Sequence, residues 1–376
     1  METLYLAAIC AVVPGLGRRR LPALLQRLGG AKNVFEASGD ALKAAGVCQP
    51  QAIDKFVYHR DKALPEKLQL FCERQGVHLI SIYDEAYPES LRTIADPPLI
   101  LYVKGTLPAD DYAFAIVGAR ECTEYGVRAA SYFSKSLTHD GVPIISGGAR
   151  GIDTAAHEAC LAAGGRTVAV LGCGVDVVYP AENRALFAKI IERGALVTEF
   201  APGVQPLPSN FPARNRIIVG LSQGVLVAEA SRRSGAVITA NIAADEGRDV
   251  YCVPGNIFDG NSEGCHELIR TGAKLVDNVQ DILEDKYSWR KLMKNYASQP
   301  SIFDIMQEET KPAPIKDETK TELGEKLLKL LQAGALSLER LTEQSGASFA
   351  AVSMELLELQ VAGLVAVDQA QRYYRK

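Results

Sequence analysis

From Val77 to about Gly255 the chain alternates short apolar runs with helical stretches, and that alternation narrows the fold more than any other feature. GVHLISIYD, ADPPLILYVKG, FAIVGAR, VPIISGG, RTVAVLGCG, ALVTEF, GVLVAEA and DVYCVPG read as β-rich runs. Helices are expected from about Tyr125 to Asp140 and from about Gly151 to Gly164. Strands separated by helices imply right-handed βαβ units and a mostly parallel sheet covered on both faces. The first two runs extend that sheet beyond a minimal Rossmann unit. The expected class is α/β, with an extended Rossmann-like parallel sheet domain over 77–285.

The flanks read differently. Residues 1–76 form short helices, and Gly15 and Gly17 separate an apolar helix from one with Leu21, Leu24, Leu25 and Leu28 on a single face. A helix, a G-x-G turn and a helix resemble a helix-hairpin-helix, and Arg18, Arg19 and Arg20 follow the turn. The same string also suits a packing module whose glycines only make the bend. Residues 286–321 lose apolar periodicity and gain charge and proline, which reads as a linker. Over 322–376, three helices and a terminal hairpin give the order of a winged helix. Leu327, Leu330, Leu331, Leu338 and Leu341 fall on its helical faces, with turns at Gly346 and Gly363. Its recognition-type helix, Ser348 to Gln360, holds Glu355 and Glu358 and no Lys or Arg, so it opposes an anionic groove. A protein-contact or regulatory role suits it better, with Arg372, Arg375 and Lys376 within reach of a phosphate.

At 376 residues two or three domains are expected. The net charge of −4 excludes coating a nucleic acid through bulk charge but allows a local basic groove. The eight cysteines form no C-x-x-C pair and the five histidines are dispersed, so no metal site and no cofactor are expected. The cysteines read as small core residues of a reducing compartment. The apolar run Leu4–Val13 follows Glu2 and is too short to span a bilayer. A cytoplasmic protein with no membrane partner is expected.

The chemistry gathers in loops after the strands, where open parallel sheets bind ligands. In PIISGGARGID, Pro143 to Asp153, an apolar run feeds a glycine turn with one arginine and then a helix start. Loop amides and the helix dipole there suit an anion, and Arg150 adds a fork of donors. No Lys-Ser/Thr follows for a triphosphate, and the spacing is not G-x-G-x-x-G. Arg120, Arg150, Arg214, Arg216, Arg232 and Arg233 all lie in such loops, the stretch Glu199 to Arg216 being read as one of them. In NFPARNR, Phe211 is placed to stack a base while the arginines hold backbone. In isolation, the same segment suits Phe211 packing on the sheet edge with an arginine paired to Glu199 or Glu229. Asp153 and His157, four apart, share a helix face and offer an acid–base couple, though Asp153 at a helix start is also a simple first-turn anion.

Nine segments in this order then carry a resemblance: YPESL, DPPLILYVKG, AIVGAR, SGGARGIDTAAH, TVAVLGCGVDVVYPAENRAL, NFPARNRII, EASRRSGAVITA, GRDVYCVPG and ELIRTGAKLV. The chain resembles the DNA-processing protein A family, also called Smf, bacterial mediators of natural transformation. The likeness spans essentially the whole chain and is most specific between about Ile82 and Ile282. It implies an extended Rossmann domain that binds single-stranded DNA, forms a homodimer and loads the RecA recombinase onto incoming DNA, without catalytic turnover. It also implies a sterile-alpha-motif-like helical domain over 1–76 and a winged helix at the C-terminal end. By motif, the DNA pocket would use Gly148, Arg150, Gly151, Phe211, Arg214 and Arg216, and the neighbouring loops add Arg120 and Arg232. Two departures stand out. Pro208 occupies a position where some members carry lysine, and Gly264-Cys265-His266 replaces the usual G-x-N.

The leading expectation is therefore sequence-independent single-strand binding and recombination mediation. The alternative is a Rossmann-type nucleotide phosphoribohydrolase using Glu199 or Glu229, whose family's P-G-G-x-G-T-x-x-E is not matched by ARGID here. A sequence-specific repressor acting through the winged helix is opposed by the acidic helix.

Overall fold

A computed structural model describes residues 1–12, 20–108, 112–284, 322–361, 364–368 and 372–375. They fall into two compact units, Met1–Asn295 and Tyr296–Lys376. The G-x-G turn with Arg18 and Arg19, and the expected linker, lie outside the described residues.

In the first unit nine strands form one sheet: β1 (Val77–Ser81), β2 (Ile100–Gly105), β3 (Phe114–Val117), β4 (Ile144–Ser146), β5 (Thr167–Val170), β6 (Ala195–Thr198), β7 (Gly224–Val227), β8 (Asp249–Cys252) and β9 (Lys274–Leu275). Their spatial order is β1-β2-β6-β5-β4-β3-β7-β8-β9. The strands from β6 to β9 pair in parallel, while β1–β2 and β2–β6 are antiparallel. The two early runs thus extend the sheet beyond β6, as the sequence suggests, with β2 opposed to the Rossmann strands and β1 again running in their sense. Strand order reverses between β3–β4–β5 on one side and β7–β8 on the other, which makes the β3/β7 boundary the switch point where such sheets open a crevice.

Helices cover both faces of the sheet, whose largely apolar central strands are buried at every position. Side chains alternate across it. Phe114 and Ile116 face one core with helices Glu124–His139 (α8) and Ile152–Ala162 (α9); Ala115 and Val117 face another with Asn210–Gly220 (α11), Gly235–Asp245 (α12) and Glu263–Arg270 (α13). Six helices precede β1, namely α1 (Glu2–Val12), α2 (Leu21–Leu28), α3 (Ala31–Glu36), α4 (Gly39–Ala44), α5 (Pro50–His59) and α6 (Leu64–Gln75). Leu24, Phe35, Ile53 and Phe56 of these helices join Ile100, Tyr102, Phe187 and Ile190 in a third apolar cluster. Short helices α7 (Glu89–Arg92) and α10 (Arg184–Arg193) complete the unit. No helix among the described residues is long and apolar enough to cross a membrane.

The described residues of the second unit form three helices, α14 (Glu322–Leu330), α15 (Leu338–Ser345) and α16 (Phe349–Val361), and a small antiparallel sheet ordered β10-β12-β11, with β10 Leu336–Ser337, β11 Val365–Val367 and β12 Arg372–Arg375. Leu327, Leu331, Leu341, Val352, Leu356 and Val365 form its core. Gly346 closes α15 in the left-handed region (φ 68°), which favours glycine at that turn. The recognition-type helix α16 turns Val352 and Leu356 inward and leaves Phe349 and Met354 exposed.

Candidate nucleic-acid interface

At the β3/β7 switch point a cleft of about 690 Å³ opens beyond the carboxyl ends of the strands. Arg120, Ala149, Asp153, Tyr179, Phe211, Arg214 and Ser234 are among its lining residues, so the expected loops do meet at one edge. They do not all meet it in the same way.

Phe211 lies in α11, not in a loop. The stretch 199–216 was expected as loop throughout, yet helix begins at Asn210. Pro212 does not prevent this, because in the first turn its missing N–H has no intrahelical partner to lose. Asn210 Nδ2 donates to the carbonyl of Gly172 at 3.1 Å and anchors this start to the loop after β5. Gly172 also leaves the space that Phe211 fills, since a Cβ there would sit 2.9 Å from the ring. The exposed Arg120 guanidinium lies 4.9 Å from the Phe211 centroid, and the Tyr179 ring lies 5.5 Å away on a 46° tilt. Arginine, phenylalanine and tyrosine thus form a half-open aromatic and cationic shelf. Arg150 and Arg232 follow the lining residues Ala149 and Ser231 in the chain, which puts them at the rim, both exposed; Arg150 pairs with Glu182, and Arg232 with Glu263 at 3.5 Å and Glu267 at 3.4 Å.

Arg214 and Arg216 are not presented to solvent, being 4% and 8% exposed. Arg214 donates from Nη1 to the carbonyls of Gly147 (2.6 Å) and Val170, beneath Phe211. Burial lowers its pKa to about 10, opposed by the charge of Asp153, and it stays cationic at neutral pH. Arg216 grips Glu199 with both Nη atoms (2.6 and 2.8 Å) and Asp96 through Nε (3.0 Å). The helix explains the difference, for α11 is buried from Arg214 onward while Phe211 lies in its half-exposed first turn.

The glycine loop is also turned inward. Asp153 Oδ2 accepts from the amides of Gly147 (3.1 Å) and Ala149 (3.2 Å), occupying donors expected to serve a ligand. Asn183 Nδ2 donates to Gly148 O (3.0 Å) and to Thr154 Oγ1 (2.9 Å), clamping the loop from outside. Gly148 and Gly151 hold positive φ (66° and 74°), and Gly151 passes against the carbonyls of Ala119 and Arg120 where a side chain would collide. Burial pushes the Asp153 carboxyl up, while Arg214, the loop amides and Ser146 pull against it. Asp153 and His157 form no couple. His157 shares a 2.7 Å hydrogen bond with Thr167 Oγ1, its Nε2 has no partner among the described residues, and burial lowers its pKa to about 3.

The helix after β3 is likewise closed. Glu229, 2% exposed, accepts from Thr123 N (3.0 Å) and Thr123 Oγ1 (3.0 Å) at the start of α8. Gly126 is required there because any Cβ would strike that carboxylate. This is where a dinucleotide fold seats pyrophosphate, so the protein's own anion fills the place.

A family model for DNA recombination-mediator protein A matches residues 78–286, and one for the DprA winged helix domain matches 309–369. The chain belongs to the DNA recombination-mediator protein A family. It is 44% identical over 248 residues to DNA processing protein DprA of Streptococcus pneumoniae, spanning 66% of this chain and 86% of that one. It is 37% identical over 327 residues to protein Smf of Escherichia coli, spanning 86% and 84%. Among solved structures, DprA from S. pneumoniae aligns with TM-score 0.65 and 39% identity over 75% of this chain and 97% of that chain. DNA processing protein A from Helicobacter pylori, in a structure concerned with its single-stranded DNA binding mode, aligns with TM-score 0.50 and 26% identity over 56% and 99%.

Two residues of the edge, Tyr179 and Asn183, carry no signal of their own in the sequence. Both stand in YPAEN, but only the fold brings Tyr179 onto Phe211 and Asn183 onto the glycine loop.

Proposed function

We propose that this chain binds single-stranded DNA along the shelf of Arg120, Phe211 and Tyr179, and that it acts as a binding protein rather than an enzyme. The observation that carries this reading is the exposed arginine–aromatic stack at the mouth of the switch-point cleft, with Arg150 and Arg232 on its rim. Bases stack on such rings whatever their identity, and arginines follow the backbone. The neighbour from Helicobacter pylori, concerned with single-strand binding, supports it. Gly148, Gly151, Arg214 and Arg216 enter as residues that shape the edge, while Arg120, Arg150, Arg232 and Phe211 touch the strand.

Against the phosphoribohydrolase alternative stand the two candidate carboxylates. Glu199 is held by Arg216 and Glu229 caps α8, so neither is placed to attack a sugar. Family membership further supports a cytoplasmic recombination mediator that protects incoming DNA in natural transformation and loads RecA, working as a homodimer through its Rossmann domain. The exposed Ile257 and Phe258 after β8 are apolar surface suited to a second copy.

The test is titration of the full chain with single-stranded and duplex DNA at two salt concentrations. Tighter single-strand binding that weakens steeply with salt is expected; equal affinity for duplex would refute it. Light scattering checks the dimer, and RecA filament formation on protein-coated single strands, with and without the chain, checks loading.

A further inference from the structure

We infer that the cleft is a base-reading subsite, in which Asn215 donates and Thr239 accepts, selecting one unstacked nucleotide with a ring carbonyl beside a ring N–H. This deepens the single-strand reading above and rests on it.

Asn215 lines the cleft and is 8% exposed. Its Oδ1 accepts from Arg214 Nε at 3.3 Å. An arginine Nε–H can only donate, so this contact fixes which end of the amide faces inward. Nδ2 is left over, and it has no protein acceptor among the described residues. Nδ2 is not among the fully buried polar atoms, so it opens onto the cleft, where a ligand acceptor can take the place of water. Thr239, 2% exposed, also lines the cleft from α12, which packs on α11. Its hydroxyl donates to the Gly235 carbonyl at 3.2 Å, so only its lone pairs remain for a ligand. Phe211, Ile218 and Ile238 supply apolar lining for a flat ring, and a Cβ at Gly235 would meet nothing within 4 Å. The volume of about 690 Å³ lies in the range of small-ligand sites.

A donor from α11 and an acceptor from α12, lining one cleft between packed helices, complement a lactam edge. Thymine offers O4 beside N3–H, and guanine offers O6 beside N1–H. Cytosine and adenine reverse the pattern, presenting an amino donor beside an unprotonated ring nitrogen. A hydrogen-bonding pocket rejects a reversed pattern, whereas phosphate contacts and stacking do not distinguish bases. The rest of the strand is then held without regard to sequence, and one position is read.

The experiment compares the full chain on three strands of equal length: oligo-dT, oligo-dC, and oligo-dT carrying N3-methylthymine, which lacks the ring N–H. Anisotropy titrations are expected to show oligo-dT binding about fivefold tighter than oligo-dC, with the methylated strand falling to the oligo-dC level. In Asn215→Ala and in Thr239→Val the dT-to-dC ratio should drop to about one. Equal affinities for dT and dC on the unaltered protein overturn the subsite while leaving single-strand binding standing. A ratio unchanged in both variants overturns it too. If no strand binds, the single-strand reading itself fails and this subsite with it. The methylated strand needs no substitution, so a variant that misfolds does not obscure the answer.

Discussion

The glycine loop after β4 and the Phe211 shelf lie on one edge of the sheet and carry similar residues, yet they use charge in opposite ways. In the loop, Asp153 takes the amides of Gly147 and Ala149, and Arg214 takes the carbonyls of Gly147 and Val170. On the shelf, Arg120 is exposed over a ring and faces outward. One region is closed by its own ions, the other left open for a foreign one. Charge of the same type is scaffold when buried and paired, and becomes a ligand contact only when solvent reaches it.

The comparison breaks most sharply at Asp153. Asp153→Ala leaves Arg214 buried without its counter-charge, and unfolding in urea should show a loss of about 3–5 kcal/mol. Arg214→Ala should destabilise similarly, so any loss of strand binding would track unfolding. A stable Arg214→Ala protein with weakened binding would instead make Arg214 a strand contact. Next in size, Phe211→Ala removes the stacking surface and should lower single-strand affinity by about 1–3 kcal/mol in titrations. Its melting temperature should change far less than that of Asp153→Ala.

A third probe is pH. The His157 pKa is about 3 in the fold and about 6.5 when exposed, so the unfolded chain binds the extra proton between those values. The stability it permits is complete above about pH 6.5 and falls by about 1.4 kcal/mol per pH unit below that, towards pH 3. Denaturation midpoints at pH 7 and pH 5 measure this, and His157→Gln should flatten the dependence. The smallest effect is expected on the rim. Arg150→Ala should leave stability unchanged, weaken strand binding by about threefold to tenfold, and reduce the salt slope by about 0.7 if one phosphate contact is lost.

Much of the fold is legible in the sequence because strand periodicity, glycine turns and helix faces are local. FAIV, TVAV and GVLV announce strands buried on both sides, and Leu327, Leu331 and Leu341 announce the small C-terminal core. The glycine loop and the convergence of strand-end loops are legible for the same reason. The destinations of the charges are not. Glu229 meets Thr123 across 106 positions, and Arg216 meets Asp96 across 120, which no local pattern reveals. The helical start at Asn210 was hidden by PLPSNFP, whose prolines read as loop, and it decides which arginines of that motif are buried. Tyr179 is a shelf residue because the chain after β5 returns to α11, a contact with no local signature.

Glu229 at the start of α8 has a consequence for how quickly the protein acts. Because an internal carboxylate already neutralises that helix end, and Asp153 does the same for the glycine loop, the edge needs no phosphate to hold its shape. A surface assembled in advance asks little ordering of the protein when a partner arrives. The encounter is then limited by diffusion and orientation, with no folding step in between. Free phosphate or nucleotide should leave the melting temperature unmoved, and a strand should be captured as fast at low protein concentration as collision allows.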